Sequence, residues 1–387
     1  MAVTPHQIDL WSGNMAHLYQ SLEGEILRLV IQRLNKGSDN IVDWQLQKLR
    51  ELHLFNSETA KLIAEVSGVS EKEVRKMFNN LGHSTIEDID KLVASGLHLK
   101  LLPNNIDEVL RAYYNQAWGD LNNYVNQTLL STNYGYGSAL SKLYTDIINK
   151  TVAAFNTGLF TFEEALERTV QQWAQQGIKS TFIDKGGHTW SIERYVRTVL
   201  KSTMGNTYNE LRTSRMTEYG VNTVVVTSHM GSRLACSLIQ GHVVDLRKNI
   251  PINSEYKSIY DPYWKADYGE AGGHRGVNCR HAWIPFIPGV NTNNQPIFDK
   301  EENDKVAALQ KRQRELERRI VKFKKNKMVS EAMGNKLGAQ SWQNSITATQ
   351  AAIRKLVNSN EYLSRNYKRE KVYTPLDTLL KDFRYDN

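Results

Sequence analysis

The spacing of apolar residues over the first 220 positions constrains this chain most. In LWSGNMAHLYQSLEGEILRLVIQRL the apolar residues fall at Leu10, Leu18, Leu22, Ile26, Leu29 and Leu34. That spacing fills one face of a helix and does not fit the strict alternation of a half-buried strand. DWQLQKLRELHLFNSETAKLIAEV repeats it. Ser70 with Glu73, Ser84 with Glu87 and Thr161 with Glu164 have the spacing of capping boxes, which predicts the starts of three further helices. ASGLHLKLLPNNIDE reads as a loop, followed by a helix from Ile106 to Leu129. The glycines Gly135 and Gly137 in STNYGYGSAL predict a break, and another helix should run to Asn156. Successive helices without alternating strands imply an all-helical unit over 1–184. Its broad faces suit protein contacts, and Glu-x-x-His, a helical metal signature, is absent from it.

The texture changes near residue 185. A glycine turn leads to a helix from Ser191, and the helical stretch there carries Arg194, Arg197, Lys201, Arg212 and Arg215. Val221–Thr227, rich in β-branched residues, predicts a strand. Beyond it lies a long aromatic and glycine-rich loop that needs something to pin it. This makes 185–300 a small α+β unit. In 301–387, Val306, Leu309, Gln313, Leu316, Ile320 and Phe323 form about three heptads with one polar interruption. A loop at MGNKLG and a second helix carrying Ile346, Ile353, Leu356 and Val357 complete a helical hairpin, followed by a tail. The fold class expected is mainly α: a helical domain, a small α+β domain with long ordered loops, and a C-terminal hairpin.

Composition excludes several classes. No apolar run approaches the roughly 18–20 residues that span a bilayer, so no membrane partner is expected. The start, MAVTPHQIDLWSG, lacks the basic and apolar regions of a signal peptide. Two cysteines in 387 residues do not make a disulfide scaffold. The net charge of +8 is concentrated in the first hairpin helix, at Lys311, Arg312, Arg314, Arg318, Arg319, Lys322, Lys324, Lys325 and Lys327. These residues form either a solvated outer face or a sequence-independent contact to duplex phosphates. The one aromatic residue among them, Phe323, belongs to the apolar seam, which leaves none on the charged face to stack bases.

GGHRGVNCRHAWIPFIPG at 272–289 concentrates the chemistry-bearing residues. With upstream residues, the candidate ligands are His229, Cys236, His242, His274, Cys279 and His281. Zinc needs about four such groups. Cys279 and His281 could supply two, and Cys236 and His229 the others. The usual Cys-x₂₋₄-Cys knuckle is missing, however, and position 232 is serine. A thiol nucleophile would need Cys279 and His281 to meet, and alternate residues of an extended chain point to opposite faces. The third reading is structural: two small buried cysteines side by side or one optional disulfide. Arg280 and His281 then hydrogen-bond loop carbonyls while Trp283 and Phe286 seal the core. This reading expects no metal, no cofactor and no catalytic residue. It also expects Asn278, Arg280 and His281 to tie the loop to the 229–240 segment.

NCRHAWIPFIPGV resembles the signature of the phage minor capsid protein 2 family, found in tailed phages and prophages of bacteria. Other stretches match in order. WSIERYVRTVLKSTMGNTYNELRTSRMTEYG resembles the family's helical pair. VVVTSHMGSRLACSLIQGHVVDL resembles its strand, His-x-Gly-x-Arg loop and Gln-Gly-x-Val turn. QKRQRELERRIVKFKK resembles the helix that follows. The likeness covers 185–360, with the helical half similar in general character. Carried onto this chain, the signature positions are His229, Gly231, Arg233, Cys236, Gln240, Gly241, Gly276, Asn278, Cys279, Arg280, His281, Pro285 and Gly289. Some family members have a second cysteine where this chain has Ser232. The resemblance implies a non-enzymatic minor head protein, made in the bacterial host cytoplasm and incorporated into the virion head. Its implied partners are the portal protein, the major capsid protein or other head proteins, and packaged double-stranded DNA. It is related in placement to Mu F-like head morphogenesis proteins. A DNA-binding virion protein is the alternative, and an enzyme of ADP-ribosyltransferase or metal-dependent type a more distant one.

Overall fold

The computed structural model describes residues 3–35, 40–103, 106–130 and 139–385. The first helix, α1 (Pro5–Leu34), starts at a capping box in which Thr4 accepts from the Gln7 N–H and the Gln7 side chain accepts from the Thr4 N–H. After α2 (Ile41–Arg50), α3 runs unbroken over Leu52–Ile89 and continues through a π-helical turn to Leu97. Two of the expected helix starts therefore lie inside α3. Serine in a helix interior can satisfy its hydroxyl on the preceding turn. Ser70 Oγ donates to the Val66 carbonyl, 2.7 Å away, and Ser84 Oγ accepts from the Val3 N–H at 2.9 Å. The third box is present, with Thr161 and Glu164 capping each other.

The helix expected from Ile106 is α4 (Asp107–Leu121), extended by a π turn at Asn122–Asn126 to Leu130. The break expected in STNYGYGSAL falls on residues 131–138, outside the described residues. Next come α5 (Ala139–Asn156), α6 (Phe162–Gln176) and an antiparallel hairpin of β1 (Lys179–Ile183) and β2 (Thr189–Ser191). The helical stretch from Ser191 is one helix, α7 (Ile192–Glu218).

Behind α7 lies a three-stranded antiparallel sheet of β3 (Thr223–Val226), β4 (Val243–Asp245) and β5 (Trp283–Phe286), in the order β4-β3-β5. Pro285 sits on the edge strand β5 opposite Val224, where a missing N–H is tolerated. The hairpin of α8 (Lys300–Ala332) and α9 (Lys336–Asn358) follows, and α10 (Leu376–Tyr385) ends the fold.

One core joins the two ends of the chain. It gathers Val3 and Leu22 of the N-terminal part, Tyr195 and Leu200 of α7, Val329 of α8, and Leu376 and Leu380 of α10. The expected boundary at 184/185 falls in the turn between β1 and β2, and this core extends across it. A second core packs the end of α3 (Ile89, Val93) and the end of α7 (Met216, Tyr219) against Val224, Val244 and Trp283 of the sheet. Two buried arginines of α7 weld these layers. Arg212 reaches Asp88 at 2.8 Å and the Trp283 carbonyl at 3.0 Å. Arg215 makes two bonds to Asp90, at 2.6 and 2.8 Å, and also donates to the carbonyls of Leu102 and Pro103. No helix among the described residues is long and apolar enough to cross a membrane.

Candidate functional site

Three segments meet beside the sheet: the turn after β3, a single helical turn at Leu234–Ser237, and the loop leading into β5. The loop holds its shape through close backbone approaches. A Cβ at Gly276 would lie 2.4 Å from the carbonyl oxygens of Glu270 and Ala271, so only glycine fits. Arg275 and Asn278 adopt left-handed backbone, with φ of 64° and 60°. The reversal at Asn278, with the Cys279 N–H bonded to the Gly276 carbonyl, means that the chain is not extended here.

Cys279 and His281 consequently face each other. Sγ and Nδ1 are 3.4 Å apart, contrary to the expectation that they point to opposite faces. Cys236 of the helical turn and His274 of the loop complete a group whose four ligand-type atoms lie within 4.8 Å of one another. All but Cys279 are buried. The adjacent Cys279 sulfur, followed by burial, pushes the Cys236 thiol up, while Cys236 and then His281, acting against burial, draw Cys279 below the usual thiol range. Burial holds His274 down to about 3.

Of the alternative ligand set Cys236, His229, Cys279 and His281, the structure brings Cys236, Cys279 and His281 together, with His274 beside them in place of His229. His229 instead stacks on His281, with ring centroids 4.2 Å apart, and burial holds it at about 4. His242 lies against Trp264 with centroids 5.1 Å apart. His274, one of the six candidate ligands but not one of that set of four, takes the remaining place. It stands five positions before Cys279, and its place in the group depends on the tight loop between them.

The loop is tied down differently from the expectation. His281 does bond Gln240, but Asn278 and Arg280 are exposed. The work falls to Arg233, which donates to the carbonyls of Gly272 and Val277 at 3.1 and 2.7 Å. Arg275 shares it, bonding the carbonyls of His281 and Gly205, each at 2.8 Å. Ser232 does not face the four-residue group. Its N–H and hydroxyl both donate to Asn303 at the start of α8, and Asn303 returns a bond to the Ser232 carbonyl. Gly231 packs over Gln310 of the same helix, and Gly241 packs beneath the Pro296 carbonyl. Gly289 takes a left-handed φ of 78° just after β5. The signature residues thus fasten the sheet, the loop and α8 together.

The basic residues of α8 divide into two sets. Arg312 pairs with Glu315, and Arg314 with Glu317. Lys324 donates to the Glu370 carbonyl at 2.7 Å, Lys325 meets buried Glu23 at 3.5 Å, and Lys327 bonds Gln343. Lys311, Arg318, Arg319 and Lys322 are exposed. Of these, Arg318 and Lys322 line a cleft between α1, α7, α8 and the C-terminal segment, made of two adjoining cavities of about 510 and 540 Å³. Arg197, Lys201, Arg280, Lys368, Arg369 and Lys371 also line it, opposed by Asp9, Glu23, Glu193 and Glu317. Lys201 is held by Asp9 at 2.6 Å. The exposed Arg280 of the signature loop therefore belongs to a cationic cleft rather than to the loop's internal bonding.

Comparison with known proteins agrees with these signatures. The model of a family described as phage minor capsid protein 2 matches residues 3–358. A structural protein of Lactococcus phage LL-H is 36% identical over 369 residues, spanning 92% of this chain and 98% of that protein. A structural protein of Lactococcus phage mv4 is 36% identical over 120 residues, covering 31% of this chain and 94% of its own length. No solved structure matches. The match extends through the helical half as well as the signature region, and the chain belongs to the phage minor capsid protein 2 family.

Proposed function

We propose that this structural protein is a low-copy component of the phage head that docks on the portal and the adjoining inner shell, with its helical half supplying the docking face. The observation that carries the reading is an outward apolar stripe in that half. Val42 and Leu46, one turn apart on α2, and Leu54 at the start of α3 remain 55%, 50% and 46% exposed. Exposed apolar faces rimmed by polar residues are common at protein contacts. Cross-linking followed by mass spectrometry on intact heads tests the reading. Lysines of the helical half such as Lys61 and Lys72 should link to the portal protein. Links confined to tail proteins, or absence of the chain from purified heads, would overturn it.

A second reading is supported by the cationic cleft. Arg280, Arg318 and Lys322 lie along one wall system open to solvent. Phosphates of packaged duplex DNA fit such a surface without sequence preference. The two readings are compatible, because the apolar stripe and the cleft involve different residues.

A further inference from the structure

We propose that Cys236, His274, Cys279 and His281 bind one structural zinc ion, which fastens the long loop before β5 to the helical turn at 234–237. The four groups come from sequence positions as far apart as 236 and 281, yet their ligand-type atoms gather within 4.8 Å. Tetrahedral zinc, with bonds of about 2.0–2.1 Å to nitrogen and 2.3 Å to sulfur, requires ligand atoms roughly 3.3–3.8 Å apart. Cys279 Sγ and His281 Nδ1, at 3.4 Å, already meet that spacing. The other pairs, all within 4.8 Å, would have to draw in to that spacing when the metal binds. Two thiolates and two imidazoles form a closed set of the kind zinc takes in structural sites, with no position left for substrate.

The surrounding hydrogen bonds prepare His281 for a metal. Gln240 Oε1 accepts from the His229 backbone N–H at 3.1 Å, so this atom is the amide oxygen. The same oxygen faces His281 Nε2 at 3.1 Å, which places the ring proton on Nε2. Nδ1 is left as a bare lone pair directed at Cys279. An outer partner that fixes the tautomer in this way is a regular feature of metal-bound histidine.

His274 provides the second, independent sign. Its Nδ1 is buried without a hydrogen-bond partner. Its Nε2 accepts from the Trp283 indole N–H at 3.1 Å. In the metal-free protein this arrangement puts a proton on Nδ1 with nothing to receive it. A metal at Nδ1 displaces that proton and moves the ring proton to Nε2, so the Trp283 indole must release its bond. Loading the site should therefore change the environment of one particular tryptophan.

The loop also needs such an anchor. Between β4 and β5 the chain runs from 246 to 282 with one isolated bridge, Asp245 to Ser258, and a single 3-10 turn at Pro262–Trp264. Long connections of this type stay ordered when something fixes them. Two of the ligands, His274 and Cys279, adjoin the left-handed residues Arg275 and Asn278, so the metal would hold the loop where its backbone is least relaxed.

The test uses the full chain, purified under reducing conditions without chelator. Elemental analysis should find roughly one zinc per chain. Cys236→Ser and His274→Ala should lose it, and His242→Ala, outside the group, should retain it. Cobalt exchanged into the site should give the visible bands of tetrahedral thiolate coordination. The Trp283 indole N–H resonance should shift when zinc is restored to chelator-treated protein, and the melting temperature should rise with it. That experiment needs no variant, so it decides the matter even if a substituted chain fails to fold. Metal-free protein with both thiols reduced and no response to added zinc overturns the proposal. So does a Cys236–Cys279 disulfide in the non-reduced mass.

Discussion

At the scale of single residues, the signature loop separates look-alike arginines. Arg280 sits in the most recognisable motif of the sequence, but its side chain is exposed in the cleft. Arg275, in an unremarkable GGHRG run, bonds two carbonyls at 2.8 Å and lies over the Trp283 ring at 5.6 Å from its centroid. Hydrogen bonds from a charged donor contribute about 1.5–3 kcal/mol, and their loss leaves buried carbonyls unpaired. Arg275→Ala should therefore cost about 2–3 kcal/mol in denaturant unfolding. Arg280→Ala should stay within about 0.5 kcal/mol, as exposed sites do. Equal effects would show that the loop is held by something other than the Arg275 bonds. The sequence made the motif legible as a cluster of special residues. It could not show which arginine turns inward, because that follows from the left-handed backbone at Arg275 and Asn278 and from glycines whose neighbours are distant in sequence.

At the scale of elements, the heptad seam of α8 is readable from its apolar spacing, and Val306, Leu316 and Ile320 are buried as that spacing requires. Gln313, the polar interruption, is also buried, donating to Glu317 and to the Ser364 carbonyl. The facing of the charges was not readable, since it depends on α1 and the C-terminal segment packing alongside. Lys325 is only 13% exposed and faces Glu23, which is 4% exposed and also accepts from the Ile178 N–H at 3.1 Å. Lys325→Glu would set two carboxylates together in a buried place and should cost about 3–5 kcal/mol. Arg318→Glu, Arg319→Glu and Lys322→Glu should be tolerated and, combined, should remove most binding to unrelated DNA duplexes at low salt. Binding of the wild-type protein should weaken steeply as salt rises. Unchanged affinity in the triple variant, or preference for one sequence, would exclude this face as a phosphate contact. The serines misread as helix starts teach a related lesson: Ser-x-x-Glu suits a cap, but Ser70 finds its acceptor in the preceding turn, so α3 continues.

At the scale of the whole molecule, the mainly helical class, the small α+β part and the hairpin were legible because each rests on local periodicity. The return of the chain's end to its beginning was not, since no local pattern encodes a contact more than 340 residues away. The family match ends at 358, yet the residues after it complete the first core. The Tyr373 ring packs against Gly24 in the middle of α1, where an added Cβ would lie 2.5 Å from the ring carbon Cδ2. Its hydroxyl donates to Glu25 and accepts from Arg28. Nearby, the Thr374 N–H donates to Ser21 and the Thr374 hydroxyl meets His17. Mid-helix glycine costs about 1 kcal/mol relative to alanine, so its presence here is explained by the ring it admits. In the intact protein, Gly24→Ala must displace that ring and should destabilise by about 1–3 kcal/mol, the usual cost of overpacking. In a Tyr373→Ala background the obstacle is gone, and the same change should become neutral or stabilising by up to about 1 kcal/mol. The sign reversal in this double-mutant cycle, read from denaturant midpoints, isolates the contact between the two ends of the chain. Additive effects would mean that the C-terminal segment does not rest on α1 in solution, and that the core closes without it.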